Sequence, residues 1–569
     1  LPPIVRPPPP AEVQPLLQAL NAGQPERAEA GARAALLRYP QAPVLHSILA
    51  SALAAQQKWV AALDGYTRLE QLTGPSFELH CQLAQLNAQC NRPDEAVRRY
   101  RQALTLQPTH AELQLNVGML LSGIGRHAEA AESYARALAI KPSLTMAHYN
   151  HGTALQALGR WDDAADAYRR AVAARPDHAA SHGNLGAVLQ AKGDLGAAVE
   201  SYQRALAIGP HPLLHFNLGT AYRNQGRLEM AVTSFEAALA MQSAYPDAWN
   251  NLGEVLRDQG RFDDAVACFE RALQQSADTA EAHYNLGTVL VDGGRFDQAI
   301  PHFRQSALRD WHDRVLLCLY KGGRPDAFHL ELQQRLREES GHRAPLLANL
   351  SAHHAASLGV PDDCRFCPNP MDFVHHGRID ELAAPGSDLL AALIHDVASA
   401  EIAARRQGRL HHGEQSAGNL FKRPEASFRT LAALVTDAVA RYRQHHAGAA
   451  CVYASEFPKE IAFSSSWFVK MRTGGHLTSH IHETGWLSGV LYLAMPPRSA
   501  GSQEGCIEFS TDGDGYPKPH DRFPVQVVSP AVGDIVLFPS SLFHRTIPFS
   551  AAQDRICIAF DVAPAVTAR

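Results

Sequence analysis

GRWDDAADAYRRAVAARPD, residues 159–177, and its near copy GRFDDAVACFERALQQSAD, residues 260–278, decide how the first half of this chain is read. Each opens on a Gly-Arg turn and continues through acidic residues. Small residues such as Ala164 and Ala171 then recur at helical spacing around one aromatic, Tyr168 or Phe269, which is the pattern of one packed helical face. Upstream of each lies a companion segment with an asparagine two residues before a glycine. Asn116, Asn150, Asn184, Asn217, Asn251 and Asn285 are spaced 34, 34, 33, 34 and 34, ahead of Gly118, Gly152, Gly186, Gly219, Gly253 and Gly287. A period of this length is one antiparallel helix pair, a unit that cannot bury its apolar face alone and therefore stacks on its neighbours. Weaker copies reach back to AEVQPLLQALNAGQPERAEAGARAAL at 11–36, so about nine hairpins are expected between roughly 11 and 310.

The repeat resembles the tetratricopeptide repeat: a first-helix Leu-Gly pair, second-helix alanines, the aromatic between them and a closing proline, Pro142 or Pro176. The resemblance covers over half the chain. It implies an all-α superhelix in which small residues let the two helices approach closely and the aromatic fills the groove to the next hairpin. It also implies that the first-helix asparagines lie on a concave wall. There an amide, both donor and acceptor, matches the backbone of an extended peptide. His148, His182, His215 and His283 recur two residues before four of these asparagines. Contact with a peptide and hydrogen bonding between neighbouring repeats are both open for these residues. The partner expected for the array is a peptide or protein.

The totals agree with a folded, multi-part chain. Of 569 residues, 46% are hydrophobic and 19% charged, ordinary values for a globular protein too long for one core. The net charge of −5 comes with no basic block, which gives no reason to expect nucleic acid or an anionic membrane as partner. No apolar run is long enough for a membrane span. LPPIVRPPPP, residues 1–10, reads as a proline-rich arm and not as a secretory signal. Nine dispersed cysteines, an odd number, suit reduced thiols in the cytoplasm.

The period fails after residue 310. Residues 311–345 are expected to form capping helices and a linker, since the last apolar face of a solenoid needs covering. Cys364 and Cys367 form a CxxC without a second matched pair; reduced thiols and a zinc site completed by nearby histidines are the two readings. The segments 386–407 and 426–446 carry helical periodicity and are expected to pack outside the barrel that follows.

From about 460 the pattern becomes alternation. IAFSSSWFVKMR, GWLSGVLYLAM, GDIVLFPSSLFHRTIPFS and RICIAFDV are short runs bounded by Gly, Pro, Asp or Ser, the mark of a small antiparallel sandwich or barrel, placed at about 460–565 within a domain of 346–569. His480 and His482, two apart on an extended segment, project to one face. His544 follows a strand 64 residues after His480, and Arg555 opens the last strand. On that strand Arg555, Cys557 and Ala559 share the inner face, and Ile556, Ile558 and Phe560 the outer. An interior arginine needs an anion, and a dicarboxylate chelated by a metal at one end satisfies it at the other.

The stretch 464–562 resembles the 2-oxoglutarate/Fe(II) oxygenase superfamily, and most closely bacterial members reading H-x-H, SGVxYL, GDxxxFP, H, R. Here these are His480 and His482, SGVLYL at 488–493, GDIVLFP at 533–539, His544 and Arg555. The resemblance implies a double-stranded β-helix, or jelly roll, with flanking helices, and so an α+β multidomain chain. It implies Fe(II) on His480, His482 and His544, and 2-oxoglutarate on Arg555. Tyr492 and Ser488 are candidates beside the cosubstrate, Tyr492 alternatively being core packing. With O2 the implied reaction hydroxylates a Pro, Asp or Asn of a recruited peptide or protein. One departure stands out. The superfamily's usual second ligand is acidic, and here that place is His482; Glu483 on a regular strand faces away. A three-histidine site, or His480 and His544 completed by His482 or water, is expected. His476 is expected at a strand end, off the metal. The rival readings are a non-catalytic interaction scaffold with a degenerate barrel and a cupin-like metal enzyme that does not use 2-oxoglutarate.

Overall fold

A computed structural model of the protein describes residues 7–276, 280–308, 310–338, 343–399, 404–405, 409–416, 419–423, 425–483 and 485–564. The first six residues of the proline-rich arm lie outside the described residues. Contacts divide the chain into two compact units, Leu1–Leu214 and His215–Arg569.

The first unit consists of successive helical hairpins, from α1 (Pro10–Asn21) and α2 (Pro25–Leu36) to α11 (Ala179–Ala191) and α12 (Leu195–Ile208). The cut between units falls inside α13 (Pro212–Asn224), and the same pattern continues in the second unit to α17 (Ala280–Asp292) and α18 (Phe296–Ser306). In α9 (Thr145–Ala157) and α10 (Trp161–Ala174), the turn glycine Gly159 takes φ +70°, a left-handed conformation open to glycine at little cost. The next residue, Arg160, donates to Asp163 at 2.8 Å in the first turn of α10, where a carboxylate also meets the positive end of the helix dipole.

The expected role of the aromatic is corrected in one respect. Instead of filling only the groove to the next hairpin, Tyr168 lies against Gly152 of its own first helix; a methyl placed on Gly152 would come within 2.8 Å of the ring. The same contact recurs between Gly186 and Tyr202, Gly219 and Phe235, Gly253 and Phe269, and Gly287 and Phe303, and these rings are fully buried. Without a Cβ the first helix lets the ring sit on its backbone, which sets the closeness of each pair.

Beyond the repeats come α19 (Trp311–Lys321), α20 (Pro325–Leu336) and α21 (Pro345–Leu358). Ten strands follow among the described residues, including β1 (His375–Arg378), β2 (Ala404–Arg405), β3 (Leu410–Ser416), β4 (Ile461–Leu477) and β5 (Leu487–Ala494). The others are β6 (Ile507–Ser510), β7 (Val525–Val528), β8 (Asp534–Pro539), β9 (Phe543–Thr546) and β10 (Arg555–Pro564). They form a seven-stranded sheet in the order β1-β8-β5-β10-β4-β3-β2 and a three-stranded sheet in the order β7-β6-β9, antiparallel throughout. Val469, Val490, Tyr492, Ile507, Phe509, Phe538 and Cys557 fill the space between the sheets. Leu487, Leu491, Ile535, Ile558 and Phe560 on the outer face are covered by helices that include α23 (Asp388–Ser399) and α24 (Ala426–His446). This is a helical repeat array followed by a two-sheet jelly roll with flanking helices.

Two expectations change here. The helix expected over 386–407 is described from Asp388 to Ser399, and Ala404–Arg405 pair with Ser416 and Gln415 as a strand; residues 400–403 and 406–408 lie outside the described residues. The large sheet also begins before residue 460, because β1, β2 and β3 join it. HHGR and LHHGEQS are polar strands at or near its edges, where burial on both faces is not demanded and apolar alternation is lost. Among the described residues no helix is long and apolar enough to cross a membrane.

Candidate metal centre

His544 sits on β9 beside exposed Arg545, with its ring against Phe509 and Phe538 of the core between the sheets. The segment after β4 lies against it: His480 exchanges two backbone hydrogen bonds with His544, at 3.0 and 3.1 Å, and the His482 amide donates to the Ser540 carbonyl at 3.0 Å. This fixes all three imidazoles together. Each of His480, His482 and His544 offers a ligand atom within 4.8 Å of the other two, the one such cluster of His, Cys, Asp or Glu among the described residues.

The hydrogen bonds assign the tautomers. Nδ1 of His480 faces the Thr478 carbonyl at 2.8 Å and Nδ1 of His544 the Leu542 carbonyl at 3.2 Å. Nδ1 of His482 faces Asp561 Oδ1 at 2.5 Å. Carbonyl and carboxylate oxygens only accept, so each Nδ1 carries the hydrogen and each Nε2 keeps its lone pair, the arrangement of metal-ligating imidazoles. Burial, and then the neighbouring His482, push the pKa of His480 down to about 3; burial likewise holds His544 well below the ordinary histidine value. Both are neutral and ready to ligate at physiological pH. The donor set, nitrogen only and neutral, fits a borderline divalent transition metal such as Fe(II).

Asp561 was not among the residues singled out from the sequence. It is 7% exposed and accepts from His482, from Ser488 Oγ at 2.7 Å and from Ser465 Oγ at 2.8 Å. Burial opposes its ionisation, but the interaction with His482 and the hydrogen bonds from His482, Ser488 and Ser465 outweigh burial and hold the carboxyl below its usual range. Ser465 and Ser488 are its cross-strand neighbours on β4 and β5. A signal for it existed: Asp561 continues the inward alternation of Arg555, Cys557 and Ala559. Ser488, expected beside the cosubstrate, has its hydroxyl 3.0 Å from His482 Nδ1 and 2.8 Å from Ser540 Oγ.

Arg555 is 1% exposed. Its Nε donates to the Gly505 carbonyl at 3.1 Å, Nη1 approaches Cys557 Sγ at 3.4 Å, and the guanidinium lies over the Tyr492 ring at 5.0 Å from its centroid. No carboxylate pairs with it among the described residues. The Tyr492 hydroxyl, also buried, has no hydrogen-bond partner. A buried cation and an orphaned donor on one wall form a cradle that fits the carboxylate end of a diacid.

Glu483, beside His482, is committed elsewhere: its Oε2 is 2.6 Å from Arg314 Nη2 on α19. His476 lies within β4, stacked on His411. Cys364 and Cys367 are buried free thiols. The repeat asparagines divide. Asn184 donates to the hydroxyls of Tyr149 and Tyr168, and Asn285 to Asn250 and Glu254, so these two tie neighbouring hairpins together. Asn116 is exposed, and Asn150, Asn217 and Asn251 are half-buried. His148 and His182 hydrogen-bond the carbonyls of Pro142 and Pro176, and so brace the entry to their helices.

The geometry defines a helical-repeat protein ending in a jelly roll with a three-imidazole site. Family models agree on both parts. Residues 465–561 match the family described as "Putative 2OG-Fe(II) oxygenase", and tetratricopeptide models match 81–144, 149–211, 219–256 and 245–307. Tetratricopeptide repeats thus precede a C-terminal stretch that matches the model of this oxygenase family. Solved structures similar to it include MamA (26% identity, TM-score 0.28, covering 28% of this chain and 95% of that one). Others are YrrB, described as a TPR protein with an unusual peptide-binding site (23%, 0.30, 32% and 95%), and the APC/C hetero-tetramer Cut9-Hcn1 (19%, 0.33, 52% and 59%). No curated protein matches the chain.

Proposed function

We propose that the chain is a 2-oxoglutarate- and Fe(II)-dependent oxygenase that hydroxylates a Pro, Asp or Asn residue of a peptide or protein recruited by its repeats. The observation that carries this reading is the buried Arg555 guanidinium without a carboxylate partner, facing the same intersheet space as three convergent imidazoles. A cation left unpaired at that depth is costly; an anionic cosubstrate offsets the cost, and neither a degenerate scaffold nor a metal enzyme without a diacid needs it.

His480, His482 and His544 would hold the metal through Nε2, and Arg555 with the Tyr492 hydroxyl would hold the distal carboxylate. When bound, iron and 2-oxoglutarate supply the oxidising power that places one oxygen atom of O2 in a substrate C–H bond and the other in succinate, with release of CO2. The residues of this chain contribute orientation: carbonyls and Asp561 lock the imidazoles, and Arg555 aligns the diacid.

The repeats supply substrate contacts. Asn116, Asn150, Asn217 and Asn251 are exposed or half-buried and have no side-chain hydrogen bond among the described residues, which supports peptide contact at these four positions and a scaffold role at Asn184 and Asn285. In the second unit, Arg257 lies 3.8 Å from Asp292 on α17, and Tyr284 OH donates to Asp310, which pairs with Arg314 next to Glu483. Polar first-helix side chains thus run up to the loop that bears His482, a path for an extended substrate to the site. The nine unpaired cysteines suit a reducing compartment such as the cytoplasm.

The test is succinate release from 2-oxoglutarate by the full chain with Fe(II) and ascorbate, with mass spectrometry of captured peptides for addition of an oxygen atom. Release that depends on iron and is lost in Arg555→Ala is expected. No release with any peptide pool, and unaltered 2-oxoglutarate binding in Arg555→Ala, would return the scaffold reading.

A further inference from the structure

All three imidazoles hand their Nδ1 hydrogen to an acceptor, but the acceptors differ in kind. His480 and His544 face the carbonyls of Thr478 and Leu542, each two residues back in the chain. These are neutral dipoles. His482 faces a carboxylate, Asp561, at the shortest of the three distances, 2.5 Å.

Asp561 has an unusual set of partners for a buried acid. Its hydrogen bonds come from His482, Ser488 and Ser465, and among the described residues no lysine or arginine pairs with it. Hydroxyls satisfy its lone pairs and leave its charge uncompensated, which is costly away from water. The opposite deficit exists a few ångströms away. Three neutral imidazoles give a divalent cation no negative charge, whereas the facial site of two histidines and one carboxylate does. The two deficits meet at one side chain, because His482 has Nδ1 on the carboxylate and Nε2 free for the metal. The position is rigid: β10 is a central strand, hydrogen-bonded on both sides, and the two serines that orient Asp561 come from the strands flanking it.

We propose that Asp561 is the anionic component of the metal centre, a positioning residue that acts through His482 in place of a carboxylate bound directly to the metal. The negative charge is kept but moved out by one imidazole. It strengthens His482 as a donor and holds its ring aimed at the ion. The inference rests on the metal-site reading above.

The experiment measures Co(II) affinity of the purified full chain by competition with a chelator and follows the visible spectrum of the bound ion, for the parent, Asp561→Asn, His482→Ala and the double variant. Asn keeps the shape and the oxygen that accepts from His482 and Ser488, removes the charge, and turns the atom facing the Ser465 hydroxyl from an acceptor into a donor. Asp561→Asn is expected to weaken Co(II) binding by on the order of 10–100-fold and to shift the spectrum, with the melting temperature of the metal-free protein unchanged. In the His482→Ala background the same substitution is expected to cost nothing further, which a merely structural role would not produce. Equal affinity in Asp561→Asn and the parent, or an equal loss in both backgrounds, overturns the proposal. If Asp561→Asn does not fold, Ser465→Ala carries the test, since it frees the carboxylate without changing charge; a few-fold loss of affinity is expected, and no loss overturns the proposal. A parent protein that binds no Co(II) is a separate outcome and removes the metal-site reading itself.

Discussion

At the scale of single residues, Arg555 and Tyr492 carry a cost in stability. The guanidinium is buried without a carboxylate, and the hydroxyl beside it is unsatisfied. Replacing a buried uncompensated charge by an apolar side chain of similar volume is often neutral or stabilising. Arg555→Met is therefore expected to leave the melting temperature of the cosubstrate-free protein unchanged or raised. The same variant is expected to lower 2-oxoglutarate affinity by roughly 10–100-fold, the worth of hydrogen bonds to a charged group. Tyr492→Phe removes one neutral donor and is expected to weaken binding by about 3–10-fold. Calorimetric titration of the metal-loaded protein checks both, and equal affinity in Arg555→Met would show that the arginine meets no cosubstrate.

At the scale of elements, the hairpin is set by one contact between a glycine and a ring. Gly152 on α9 has Tyr168 of α10 across it, at a distance that leaves no room for a methyl group. Tyr168 cannot retreat, because its hydroxyl is 3.1 Å from Thr153 Oγ1, donates to Gln156 at 2.9 Å and accepts from Asn184 of the next hairpin. Gly152→Ala is expected to destabilise by about 1–3 kcal/mol, the usual range for overpacking a tight core, although alanine is the better helix former. Chemical denaturation measures it; a neutral or stabilising result would mean that the helices separate without cost. The elements after the repeats are joined to the barrel by polar side chains. The Tyr320 hydroxyl on α19 meets His353 Nδ1 of α21 at 2.7 Å, and His353 Nε2 meets Asp512 beyond β6 at 3.2 Å. Lys321 pairs with Asp514 at 2.8 Å.

At the scale of the whole molecule, histidines buried in the neutral form couple stability to pH in both units. Burial lowers the pKa of His80 in the first unit and, against the pull of Asp512, of His353 in the second from the ordinary value of 6.5. A histidine whose folded pKa is depressed stays neutral while the unfolded chain takes up the proton, so the stability it contributes is complete above 6.5 and is lost as pH falls below it. Thermal midpoints are expected to be level from pH 8 to about 7 and to fall from about 6.5 downward, before carboxylates held low, such as Glu29 and Glu95, begin to protonate. Differential scanning calorimetry across this range checks the sign; a midpoint that rises on acidification from 6.5 would contradict it.

The sequence by itself determined the elements and the chemical inventory. A period of 34 with glycine, alanine and one ring per repeat specifies paired helices, because helix geometry places those residues on one face within a few turns. The alternation from 460 onward gives the inward set that contains Arg555, and His480, His482 and His544 are recognisable by their spacing. Only the tertiary structure decided which groups meet. Asp561 lies 79 residues from the imidazole it supports, Glu483 turns to Arg314 on a helix 169 residues upstream, and β1 to β3 enter the sheet without any alternation of their own. Asn184 and Asn285 look like the other asparagines of the ladder until their neighbours are known. Local periodicity is written within a few residues by the geometry of the backbone. Pairing between distant residues depends on strand register and helix packing, which the whole chain fixes at once.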